Sequence, residues 1–329
     1  MSETAIPTLP PPRRALWPAF LRRGKAKPLS VQGVKASGFE GQLLPLLLLT
    51  PQLLILLLFF FIPAVRGLAQ AFLLQDPFGQ EVHFVGLENI MALLRSAEYH
   101  ESLRLSVIFT IATTVLTFSV ALVLAFATDR VTRGRTTYRA VLLIPYAIAP
   151  AVAGFVWAFL FNPLVGPAAT FLHSLGIAWD PNRNGNDAML LVILTASWKH
   201  LCYNYIFLVA ALAAVPRSVI EAAAVDGAGP LRRFAWITFP MIAPTVFFLI
   251  IMNTVYGLFE TFAIIDATTQ GGPAAATSIL VYKVYVDGFI NLDLGSSAAQ
   301  SVLLMIFAVC LTVIQFRLIE RRISYEVSQ

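Results

Sequence analysis

Along this chain long apolar runs alternate with shorter polar connectors, and the pattern occurs six times. The runs cover roughly 43–65, 105–128, 140–161, 189–215, 241–265 and 298–316. Each is close to the ~20 residues a helix needs to cross a hydrocarbon core, where backbone polar groups must bond within their own segment. The pattern predicts an all-α membrane protein with six transmembrane helices. Pro145, Pro150 and Pro244 lie inside the runs and are expected to kink them. Residues 1–42 read differently: they are rich in Pro and carry Arg13, Arg14, Arg22, Arg23, Lys25, Lys27 and Lys35. A cleaved signal peptide would need an apolar core of about 7–15 residues, and Leu16 to Leu21 is too short and holds Pro18. This segment is expected to be a cytoplasmic tail.

Composition narrows the function classes. Hydrophobic residues make up 58% of the chain and charged residues 12%, about half the usual charged share, too few to clothe a soluble surface. The two cysteines, Cys202 and Cys310, both sit in apolar runs, so no disulfide scaffold is indicated. No C-x-x-C, H-E-x-x-H or G-x-x-x-x-G-K-[ST] pattern occurs, which removes the common zinc and nucleotide sites. The net charge of +5 does not indicate nucleic acid, because the basic residues lie between runs rather than on one face.

Their placement instead reports orientation. Lys and Arg number seven in 1–42, four in 129–139, and three each in 216–240 and 317–329. The intervening connectors 66–104, 162–188 and 266–297 hold three, one and one. Positive residues concentrate on the cytoplasmic side, so both termini are expected inside. Ten acidic residues, among them Glu81, Glu88, Glu98 and Glu101, fall in the connectors assigned outside.

The cytoplasmic connector 216–240 carries the most information. Ser218 and Glu221 have capping-box spacing, which predicts a short helix from Val219 through Ala224. Gly227 can take the left-handed conformation that ends it, and Gly229-Pro230 opens a second helix. Ala222, Ala223 and Ala224 leave little side-chain bulk, so another protein can approach the backbone. On physics alone the loop reads equally as a solvated helix–turn–helix.

Glu221-Ala222-Ala223, then Gly227 after three residues, then Ile237-x-Phe239-Pro240 after nine more, resembles the EAA loop of binding-protein-dependent ABC importer permeases. Phe239 stands where that family usually has Leu. The resemblance covers about 105–318 and implies the type I importer permease fold, with a permease core at 105–318, a first helix and periplasmic loop at 43–104, and a short cytoplasmic C-terminus at 319–329. It implies that Glu221, Ala222, Ala223, Asp226 and Gly227 form a coupling helix seated on a separate ATPase subunit. It further implies, as partners, a second permease in a heterodimer, two ATP-binding subunits that use ATP and Mg, a periplasmic substrate-binding protein and the lipid bilayer. No cofactor, metal or catalytic residue is expected in this chain.

A finer resemblance runs over nearly the whole chain after the tail. Gln75-Asp-Pro-Phe-Gly79, Phe84-Val-Gly-Leu-Glu-Asn89, Pro145-Tyr-Ala-Ile-Ala-Pro-Ala-Val152, Phe159-Leu-Phe-Asn-Pro163, Asp266-Ala-Thr-Thr-Gln-Gly-Gly-Pro273 and Ser296-Ser-Ala-Ala-Gln-Ser301 are similar to the sn-glycerol-3-phosphate permeases of that family. Parts of these patterns recur in sugar permeases. Importers of glycerophosphodiesters, sugars or polyols are therefore the alternative, and a secondary transporter or a membrane enzyme a more distant one.

A phosphate crossing a low-dielectric passage needs a cation or converging donors. Charged groups inside spans mark functional sites by default, and the runs contain two, Lys199 and Glu260. Lys199 falls about 16 Å below the outer end of its run at roughly 1.5 Å per residue. Glu260 falls about five residues from the outer end of the fifth run. Lys199 shares a helix face with Tyr203, as Asn253 and Tyr256 do with Glu260, and together they outline a polar passage. Lys199 can instead pair with Glu260 or meet the second permease. His200 is expected to be packed or at an interface, and Trp157, Trp198 and Trp236 to be core or interfacial.

Overall fold

The computed structural model describes residues 43–75, 81–130 and 134–320. The expected tail at 1–42, the end of the chain from 321 and most of the 75–79 motif lie outside the described residues. The chain divides into two units, Met1–Phe59 and Phe60–Gln329. In the first, α1 (Leu43–Leu56) is apolar except for Thr50 and Gln52 and contains Pro51.

The second unit begins with α2 (Ile62–Gln70), whose end leads into a short antiparallel ribbon. β1 (Leu73–Gln75) pairs with β2 (Val82–Phe84), with Leu73 opposite Phe84 and Gln75 opposite Val82. This ribbon departs from the all-helical expectation. It is held from α3 (Glu88–Arg95), because Asn89 Nδ2 donates to the carbonyls of Ala71 and Leu73 at 3.0 and 2.9 Å.

The main packing is between α4 (Ala97–Arg130) and α8 (Gly185–Ala214). Lipid is as apolar as leucine, so helices associate through close approach and polar contacts rather than through a hydrophobic difference. Accordingly Thr113, Thr117, Ala121 and Ala125 face inward on α4, while Ile111, Val115 and Val123 stay exposed on its far side. One end of the bundle is built on Phe109, Val192, Ala196, Tyr256, Ile264 and Ile265. Further along, Tyr205, Leu208, Ile242, Val246 and Leu249 close over Ala121 and Ala125. Gly257 is required where α4 crosses the fifth span: a Cβ there would lie 2.9 Å from Thr110 Oγ1.

By length and composition four helices can each cross a membrane, Leu46–Gln70, Ala97–Thr128, Pro230–Glu260 and Leu294–Arg317. Two bent pairs bring the possible number to six. The third run, 140–161, is not a kinked helix but a broken one. α5 (Arg135–Ala147) and α6 (Pro150–Leu160) meet at 100°. Pro150 dictates the break, since it pushes the residue before it out of the helical region, and Ala149 is extended at φ −61°, ψ 142°. α6 then lies on α12 (Phe262–Thr268), with Gly154 against Ala267. Pro145 and Pro244, by contrast, remain inside helices.

The fifth run also needs correction. α10 (Pro230–Arg233) continues through a π-helical turn, Phe234–Thr238, into α11 (Phe239–Val255) and a second π turn, Tyr256–Glu260. Glu260 is thus the last residue of the span, not five residues inside it, and α12 is a separate helix. α13 (Leu280–Tyr285) and α14 (Leu294–Glu320) complete the fold. α7 (Pro167–Ser174) and the Trp179 segment cap the C-terminal end of α6 and the N-terminal end of α8, with Trp179 Nε1 donating to the Phe161 carbonyl at 2.9 Å.

Candidate transport site and coupling loop

The break between α5 and α6 creates the first half of the site. A helix leaves its last carbonyls without partners. Here Pro150 has no N–H to offer the Tyr146 carbonyl four residues back. α8 supplies a donor for it and a second contact one turn earlier. Lys199 Nζ donates to Tyr146 O at 3.0 Å and lies 5.3 Å from the centre of the Tyr146 ring, and Cys202 Sγ donates to Leu142 O at 3.0 Å. Lys199 stands at the middle of the 30-residue α8. It is therefore bonded to a carbonyl, and among the described residues it forms no ion pair with Glu260.

These groups open on a cavity of about 230 Å³ lined by Tyr146, Pro150, Lys199, His200, Tyr203, Met252, Tyr256 and Glu260. His200 stacks flat on Tyr256, ring centres 3.8 Å apart at 10°, and lies 5.2 Å from Tyr203 at 18°. Tyr256 Oη is anchored by donation to Ala196 O at 3.3 Å. The wall is aromatic and polar, with one ammonium and one exposed carboxylate.

Four of the residues singled out in the sequence, Lys199, Tyr203, Tyr256 and Glu260, meet in this cavity. Asn253 does not line it. It is buried and paired with Asn204, each side-chain amide donating to the other's oxygen at 2.8 and 2.9 Å. The π turn explains the separation: its wider turn shifts Glu260 off the α-helical face that Asn253 occupies. Sequence reasoning missed Tyr146, Pro150 and Met252 as lining residues and Asn204 as a partner. An amide in each of two apolar runs was the available signal for the Asn pair. His200 is packed, as expected, yet it also faces the cavity. Trp157 stacks on Phe161 at 5.4 Å and lies 5.8 Å from Trp198, whereas Trp236 is 77% exposed.

The loop is built differently. α9 spans Arg217–Val225, with Pro216 at its N-cap and no side-chain cap hydrogen bond. The Ser218–Glu221 capping box does not form, because the helix starts before Ser218. The C-terminal end matches expectation. Gly227 has φ +80°, Gly227 N donates to Ala224 O at 3.1 Å and Ala228 N to Ala223 O at 3.0 Å. This is the paired-bond ending that uses a left-handed residue after the helix. Glu221, Ala222, Asp226 and Gly227 are exposed and Ala223 half-buried. Val225 and Leu231 project at 88% and 81% exposure, while Ile220 packs against the bundle. Among the described residues no group of three His, Cys, Asp or Glu is placed to hold a metal.

A helical bundle with a polar cavity and an exposed, backbone-satisfied loop helix fits a transport permease that works with another protein. Residues 90–325 match the family of binding-protein-dependent transport system inner membrane components, and the chain belongs to that family. It is an inner-membrane permease subunit of an ABC importer, a class that works with an ATPase and a binding protein. The sn-glycerol-3-phosphate transport system permease protein UgpA of Rhizobium meliloti (strain 1021) is 53% identical over 287 residues, 87% of this chain and 98% of that protein. The protein of the same name from Escherichia coli O157:H7 is 46% identical over 288 residues, 88% and 98% of the two chains. A chain from the crystal structure of a bacterial ABC transporter involved in the import of the acidic polysaccharide alginate superposes with a TM-score of 0.73 at 18% identity. It covers 87% of this chain and 96% of its own, a likeness of fold.

Proposed function

We propose that this chain carries sn-glycerol 3-phosphate inward across the inner membrane, powered by ATP hydrolysis on separate subunits. The observation that carries the reading is the 53% identity to a glycerol-3-phosphate permease over 98% of that protein's length. The chemistry of the cavity supports it. A lysine ammonium has three donors, and one is used on Tyr146 O. The other two remain for the cargo's phosphate, while Tyr203, Tyr256 and the Glu260 carboxylate suit its hydroxyls.

In this reading the chain performs no catalysis and holds no cofactor. It pairs with a second permease as a heterodimer, two ATP-binding subunits use ATP and Mg, and a periplasmic binding protein delivers the cargo. α9, with Glu221, Ala222, Ala223, Asp226 and Gly227, seats on an ATP-binding subunit. Val225 and Leu231 are apolar, exposed and beside the helix end, which suits burial in a partner groove. Both termini face the cytoplasm.

The test is ATP-driven uptake by the whole complex in proteoliposomes with its binding protein. Labelled glycerol 3-phosphate should accumulate and be displaced neither by glycerol nor by neutral sugars. Accumulation of a sugar in its place would assign the chain to the sugar and polyol importers instead.

A further inference from the structure

We infer that Tyr146 is the positioning residue for Lys199, holding its ammonium at the cavity through both a backbone carbonyl and a ring face. This rests on the reading that Lys199 meets the cargo's phosphate, and it adds the element that aims it. A lysine carries its charge on a flexible four-carbon stem. Unaided, that charge would sweep through many positions in the cavity. Here it is tied at two points to one residue, 53 positions away in sequence and on another helix: Tyr146 O at 3.0 Å and the Tyr146 ring at 5.3 Å.

The carbonyl is available only because the third span is broken. In a continuous helix the N–H of residue 150 would occupy it, and proline has none. The end of α5 also carries the partial negative charge of a helix C-terminus, which favours a cation there. Cys202 Sγ also donates to the Leu142 carbonyl one turn earlier, inside α5, so α8 is laced along the end of α5 at two levels. Tyr146, Pro150 and Lys199 all line the same cavity. The break thus serves recognition: it trades a helix hydrogen bond for a fixed positive charge.

A purely structural cap makes a different prediction, and a double-variant cycle separates the two. Uptake and binding-protein-stimulated ATP hydrolysis are measured together in the reconstituted complex, with assembly followed by copurification. Tyr146→Leu should slow glycerol 3-phosphate uptake roughly three- to tenfold, the size of one partly desolvated cation–π contact, with stimulated hydrolysis unchanged. Tyr146→Phe and Tyr146→Trp, which keep a ring face, should retain most of the uptake. Because Tyr146 acts through Lys199, Lys199→Leu with Tyr146→Leu should be no slower than Lys199→Leu alone. Tyr146→Met, which keeps bulk without the ring, carries the same comparison if the Leu variant does not assemble.

Multiplying losses in the double variant would overturn the inference and leave Tyr146 a structural wall. Normal uptake in Tyr146→Leu beside slow uptake in Lys199→Leu would also overturn it, with the phosphate reading intact. Normal uptake in Lys199→Leu would remove the phosphate reading, and the inference with it.

Discussion

The loop helix α9 and the Lys199 cavity solve opposite problems. Around α9 the hydrogen bonds that end the helix are local, made by Gly227 and Ala228 to Ala224 and Ala223, and the apolar side chains of Val225 and Leu231 point outward. The loop is complete as backbone and incomplete as surface. The cavity is the reverse. Its bonds join residues far apart in sequence, Lys199 to Tyr146 and Tyr256 to Ala196, with the Asn204–Asn253 pair buried outside its lining, while its centre stays open. On the proposed reading, one region is to be covered by a partner protein and the other is to take a small charged cargo. Variants should therefore divide into those that disconnect the ATPase and those that disconnect the cargo.

The largest effect is expected at Gly227. Proline fixes φ near −65° and has no N–H, so Gly227→Pro cannot adopt +80° and loses the bond to Ala224 O. Uptake should be abolished while protein level and binding-protein affinity survive. Normal uptake in this variant would make the loop a mere connector.

Next in size is Lys199→Ala, expected to slow uptake strongly, with Lys199→Arg retaining part because the charge stays and the geometry changes. Adding Glu260→Ala sharpens the point. The cargo account leaves the double variant slow. An ion-pair account requires it to recover both assembly and uptake, since neither charge is then stranded.

A smaller effect should appear at the amide pair. Asn204→Leu strands a buried amide on Asn253, at a cost of about 1–2 kcal/mol in a membrane setting, read as a lower unfolding temperature of the purified complex. Asn204→Leu with Asn253→Leu should restore most of the loss. Additive losses would mean that the pair is not mutually satisfied.

The least disruptive test concerns orientation. In a background without Cys202 and Cys310, a cysteine replacing Ser218 should react with reagent only from the cytoplasmic side. Periplasmic labelling there would invert the topology and detach α9 from any ATPase.

The two regions also differ in how far the chain's order of residues revealed them. α9 and its Gly227 ending depend on neighbours a few positions apart, so the motif and the left-handed glycine announced them. Even there, the capping box failed because Pro216 started the helix too early for Ser218 to cap it. In the cavity, Lys199, Tyr203, Tyr256 and Glu260 were legible as polar groups in apolar runs. Tyr146 and Pro150 were not, because their contribution arises from a 100° break that an apolar run of span length conceals. Asn253 and Glu260 share a face only if one regular α-helical turn runs through the segment, and the π-helical turn at Tyr256–Glu260 separates them. The ribbon of Leu73–Gln75 and Val82–Phe84 left no clear alternation to read.

The decisive measurement is the number of glycerol 3-phosphate molecules imported per ATP hydrolysed by Lys199→Ala in the reconstituted complex with loaded binding protein. The account predicts that hydrolysis stimulated by the binding protein persists while uptake falls, so the ratio drops well below that of the unaltered protein. An unchanged ratio, with uptake and hydrolysis falling together or not at all, would contradict the assignment of cargo to the cavity and of energy coupling to the loop.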